Sequence, residues 1–149
     1  MFRALPVRDE RGSALLLVPA GILIVLVLTA ITVDASLGFM AERSAANIAS
    51  SAANDMASLG IDVDHFRETG EYRLAGDLDA AMAVVSASAQ AQAGSLFIPG
   101  TLSVEINRID LVNVEVVVRG QVDRLIMPSL TSGPFEISAR ATGTVDAIP

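Results

Sequence analysis

The sequence predicts an α+β protein of pilin-like outline: a long N-terminal helix, a second short helix and a three-stranded antiparallel sheet. Three observations carry that prediction. An uncharged apolar run extends from Ser13 to Val33, an alanine-rich stretch of helical period follows it directly, and the period changes to two after Pro99-Gly100. With 149 residues the chain has room for one small domain.

The apolar run reads SALLLVPAGILIVLVLTAITV. As a helix it spans roughly 30 Å, the thickness of a bilayer core, and a helix is the single-segment form that satisfies its own backbone there. Pro19 removes the hydrogen bond to the Leu15 carbonyl and is expected to kink the first turns. The rest of the chain is too small to wrap so apolar a helix as a soluble core. Arg3, Arg8 and Arg11 precede the run, and only Arg43 follows it before Arg67. The positive-inside rule therefore puts the N-terminus in the cytoplasm and the C-terminal domain outside. Val33-Asp34-Ala35 also offers small residues where a signal peptidase needs them. Against cleavage after Ala35, the run is about 20 residues long, whereas secretory apolar regions hold about 7–15. The expected organisation is a leader-like segment over 1–12, a transmembrane helix over 13–35, an amphipathic extension over 36–59 and a small extracytoplasmic α+β domain over 60–149.

In the extension, Leu37, Ala41, Ala45, Ile48, Ala52, Met56 and Leu59 recur at steps of three and four. Gly38 weakens this helix locally, and Gly60 is placed to stop it as a C-cap. The stripe is made mainly of small side chains, which let two helices approach closely. Ala41, Ala45, Ile48, Ala52 and Met56 are therefore expected to pack, in part, against another subunit's helix. From Ile61 to Gly76 the sequence is charged and glycine-punctuated, the least structured stretch by pattern. Asp77 is a plausible N-cap for a helix to about Ala93, stopped by Gly94.

Three alternating segments follow. Leu102, Val104 and Ile106 form the first apolar face; Val112, Val114, Val116, Val118 and Val122 the second; Phe135, Ile137, Ala139, Ala141 and Val145 the third. The links at 108–111 and 128–134 are short enough for a meander with one solvated face. Only the alanine-rich helices can cover the other face.

The net charge of −7 is uneven: the first twelve residues sum to +1, so the remainder carries −8. An acidic outer domain repels nucleic acid, which removes it from the expected partners. There is no cysteine, hence no disulfide and no thiolate chemistry. No serine lies in a Gly-x-Ser-x-Gly elbow, one histidine leaves little scope for a triad, and no phosphate-cradling loop is present. Asp62-Val63-Asp64-His65 with Glu68 and Glu71 could in principle hold a divalent cation. An EF-hand counted from Asp62 would need Gly and Glu where Arg67 and Arg73 stand, so a solvated acidic loop is the reading. No catalytic role, cofactor or metal is expected, and a small-molecule ligand is not expected either. Asp34, at the outer edge of the span, can reach water there or pair with an arginine of a partner.

Glu10-Arg11-Gly12-Ser13, the apolar span, Val33-Asp34, Arg43 and the run ending Ala53-Asn54-Asp55-Met56-Ala57 resemble the TadE/TadG-like proteins. Val118-Arg119-Gly120, Met127-Pro128 and Ser138-Ala139-Arg140-Ala141-Thr142 are similar to that family's late strands. The resemblance implies a membrane-anchored minor pilin or pseudopilin of a tight-adherence (Flp) pilus or related secretion system. Its implied partners are the bilayer of the bacterial inner membrane and other pilin-like subunits. It also implies a candidate processing bond at Gly12–Ser13. Pilin-like substrates usually carry glutamate five residues after that cut, where this chain has Leu17; the closer match is the unprocessed branch. A membrane-anchored sensing or ligand-binding module is the alternative reading.

Overall fold

The computed structural model describes residues 11–126 and 133–145, with side chains from residue 17 onward. The 1–10 part of the leader, Met127-Pro128 and most of the 128–134 link lie outside the described residues.

The first element, α1 (Arg11–Leu59), is a single helix of 49 residues with Pro19 inside it. At 1.5 Å per residue it is roughly 70 Å long. Its two ends have different surroundings. From Leu17 to Leu28 the large apolar side chains are between 40% and 68% exposed. From Ala41 onward one face is closed: Ala41, Ala45, Ala49 and Met56 are all 0% exposed.

A short helix α2 (Val63–Thr69) follows, within the stretch the pattern had left unstructured. Its signals are local. Asp62 accepts the His65 amide at 3.0 Å as N-cap, and Gly70 ends it at φ 73 in the left-handed region. Helix α3 (Asp79–Gln92) starts one residue later than expected. Leu78 holds the cap position, while Asp77 Oδ1 accepts the Asp79 amide at 2.9 Å, and Gly94 at φ 59 breaks the chain as anticipated. Gly60 ends α1, but not in a left-handed conformation. A Cβ there would press on the Met56 carbonyl at 2.7 Å, so close packing rather than φ requires glycine.

Strands β1 (Ser103–Arg108), β2 (Asn113–Val122) and β3 (Phe135–Thr144) form an antiparallel meander with β2 in the centre. The register aligns the apolar positions that alternation picked out. Val104, Val118 and Ala139 form one row; Ile106, Val116 and Ala141 form the next. The β1–β2 turn is held by Asp110, whose Oδ1 accepts the amides of Val112 and Asn113, both at 2.8 Å.

The apolar face of the sheet packs under α1, with α3 flanking over β1. The other face carries two ion pairs, Arg119–Glu105 at 2.8 Å and Arg140–Glu115 at 3.1 Å. They flank Val117, which pairs with Glu105 on one side and Arg140 on the other and is only 5% exposed. A valine on the polar side is thus covered by long charged side chains.

Candidate functional site

The small-residue stripe is the first place where the structure departs from expectation. Ala41, Ala45, Ile48, Ala52 and Met56 are between 0% and 3% exposed, and all belong to the core cluster with Val114, Val116 and Val118. The stripe is the lid of the chain's own sheet, so it offers no packing face to another subunit's helix. The physical reason is the tightness of the helix–sheet contact. A Cβ built on Gly143 of β3 would collide with the backbone carbonyl of Ala53 on α1. At that separation Leu or Phe has no room, and alanine on the helix with glycine on the strand is what fits.

Asp34 also stands elsewhere than expected. It does not face water: it is 4% exposed, and its Oδ1 accepts the amides of Leu125 at 3.1 Å and Ile126 at 3.2 Å. The carboxylate clips the end of β2 to α1 across 91 residues of sequence. No local pattern signals this contact; the only hint is an acidic residue at the end of an apolar run. Next to the clip, Leu37 of α1 lines a cleft with Leu96, Phe97, Pro99, Val122 and Leu125. The 95–99 loop and the segment after β2 thus form a collar beside α1, at Asp34 and Leu37, at the edge of its bare segment.

Below the collar, α1 extends from the rest of the domain. Its window of highest mean hydropathy reaches 2.3 and only 11% of it is buried, so it is long and apolar enough to cross a membrane and is compatible with a single-pass membrane protein. Among the described residues, three hydroxyls within and just after the run are satisfied inside the helix. Thr29, Thr32 and Ser36 donate to the carbonyls of Val25, Leu28 and Thr32, each at 2.8 Å. That arrangement suits a medium that supplies no hydrogen-bond partners. Gly12 and Ser13, the candidate processing pair, fall in the first turn of α1. Gly21 leaves open space beside it on the bare helix, in a shallow groove lined by Leu17, Val18, Ile22, Val25 and Leu26.

The acidic segment considered for a cation has other employment. Asp62 Oδ1 caps α2, and Asp62 Oδ2 accepts Nε and Nη2 of Arg73 at 3.0 and 2.8 Å. The His65 amide and the Arg73 guanidinium hold the Asp62 carboxyl below its usual range. Asp64 faces Arg67 at 3.6 Å on an exposed surface. No group of three or more His, Asp or Glu side chains suited to a metal ion occurs among the described residues. A groove on the sheet, lined by Thr101, Arg119, Gln121, Glu136, Ile137 and Ser138, is open and of mixed polarity.

No protein-family model, no curated protein and no solved structure matches this chain.

Proposed function

We propose that this protein is a membrane-anchored, pilin-like structural subunit of the TadE/TadG-like kind, working by helix packing within a tight-adherence or related secretion assembly. The observation that supports it most is the division of labour along α1. One continuous helix serves its own sheet in the outer half and is bare and apolar in the inner half. Such a shape suits a subunit that holds a small domain at a membrane surface while its helix packs among others. With the stripe engaged internally, the partner face moves to the bare segment. Val18, Gly21, Ile22 and Val25 share one face there, and Gly21 permits close approach of a second helix.

The arginine distribution supports an N-terminus in the cytoplasm and the domain outside the inner membrane. The Asp34 clip supports retention of the whole helix, since a cut after Ala35 would remove the carboxylate that Leu125 and Ile126 bind. On this reading the ligand-binding alternative is the weaker one, because the groove on the sheet is open where a typical ligand site is enclosed.

The test is co-purification from the native host in mild detergent. Gly21→Leu is expected to reduce recovery of pilus-assembly partners while the domain keeps its thermal unfolding. Recovery of a transporter or a histidine kinase in their place would favour the sensing reading, and undiminished partner binding by Gly21→Leu would refute the packing face.

A further inference from the structure

The collar carries apolar surface that no contact within the described chain explains. Leu125 is 67% exposed and Ile126 49% exposed, although the amides of both are fixed to Asp34. An exposed apolar pair at a point held this firmly is positioned for a particular medium.

The height of that pair is set by α1. Asp34 is the first charge after the apolar run, yet its carboxylate is buried and answered by two amides, so it does not mark the boundary with water. The next charged side chains on the helix, Glu42 and Arg43, are exposed. Before them Phe39 and Met40 are 65% and 59% exposed. The exposed surface of α1 is therefore uncharged from Leu17 through Met40, about 36 Å of helix rise. A bilayer hydrocarbon core is about 30 Å thick. Counted from Ser13, where the uncharged run begins, such a core ends near Val33, so the headgroup boundary falls close to Asp34. Ala30 agrees with this. It lies one turn deeper than Asp34 and is 8% exposed, whereas Ala20 in the bare segment is exposed. The chain covers its own helix within the apolar run.

We propose that Leu125 and Ile126, clipped to Asp34, sit in the boundary layer between lipid headgroups and acyl chains, with lipid as their occupant. The proposal rests on reading α1 as a membrane span. Continuity with that span selects lipid: the pair lies against the same helix at the depth where lipid already surrounds it. The chemistry is reciprocal. A loop amide in that layer has little water to bond, and a carboxylate there is costly unless hydrogen-bonded. Each satisfies the other, so Leu125 and Ile126 present apolar side chains on backbone amides that are already bonded. This is an amphipathic foot that fixes the tilt and depth of the domain on the membrane.

The chain contains no tryptophan, so one introduced residue is a unique fluorescent probe. The full chain would be placed in phosphatidylcholine vesicles with plain or brominated acyl chains, carrying Leu125→Trp, mid-span Leu23→Trp, or Val84→Trp on exposed α3. Leu125→Trp is expected to emit at shorter wavelength than Val84→Trp and to lose at least about half its intensity in brominated lipid, as an interfacial side chain should. If Leu23→Trp is not quenched, the span reading fails and takes this proposal with it. If Leu23→Trp is quenched while Leu125→Trp behaves like Val84→Trp, the loop stands in water and this proposal alone is overturned. Blue-shifted but unquenched emission from Leu125→Trp means protein, such as a second copy, covers the loop, which also overturns it. Ile126→Trp repeats the measurement if Leu125→Trp does not fold.

Discussion

Asp34 illustrates how one side chain joins the two halves of the molecule. Its Oδ1 holds two amides that are far away in sequence. Replacing it with alanine leaves those amides without their acceptor, at a cost of about 1–3 kcal/mol. Asp34→Ala is expected to raise amide hydrogen exchange at Leu125 and Ile126 while exchange in β2 changes less. Asp34→Asn keeps an oxygen acceptor and should restore much of the protection. Gly143 is the second residue on which much depends, because a Cβ there collides with the Ala53 carbonyl, which is backbone and cannot rotate away. Gly143→Ala should lower stability by about 1–3 kcal/mol, seen as a clear drop in the thermal midpoint. Asp62 links structure to pH. Its folded-state pKa lies below its ordinary value because the His65 amide and then Arg73 favour the ionised form. It therefore contributes stability at neutral pH, and that contribution is lost as pH falls through the folded-state pKa. The difference in thermal midpoint between wild type and Asp62→Asn should be present at pH 7 and shrink below the carboxylate range.

At the scale of elements, α1 has two roles that the sequence distinguishes by composition alone. The Ser13–Val33 run is apolar on all sides, and the stretch after it is apolar on one. That contrast was legible, as was the sheet: the three alternating segments fall into register with their apolar rows aligned. The purpose of the alanine stripe was not legible. Small residues serve close approach to any backbone, whether a second helix or a strand, and periodicity cannot say which. Gly143 was the sequence's counterpart signal, an interruption in the apolar face of β3. Ala45→Leu and Ala52→Leu are therefore expected to act on the domain itself and not on a partner. Each should destabilise the folded domain by about 1–3 kcal/mol through overpacking, measurable by chemical denaturation of the isolated protein. Helix α2 was missed because seven residues are too few to show a period. Its cap and its left-handed glycine, Asp62 and Gly70, were the readable signals.

For the whole molecule, the expected arrangement is a domain held at a membrane by a helix it also uses as core. A periplasm-active reporter fused after Pro149 should be active in cells and one fused at Arg8 should not; the opposite pattern would reverse the orientation. The intact mass of membrane-purified protein is expected to include Leu17 and everything after it, since a terminus at Ser36 would cut away both span and clip. The sequence by itself determined what is local and periodic: the apolar run, the helical stretch behind it, the alternating strands and the turn residues between them. Each follows from side chains a few positions apart, where helix and strand geometry leave little freedom. Only the tertiary structure decided that the stripe covers the chain's own sheet and that Asp34 binds the amides after β2. Those choices depend on which surfaces meet after the chain has turned back on itself. Burial is non-directional, so a pattern of small apolar residues states that a face is to be covered without naming what covers it.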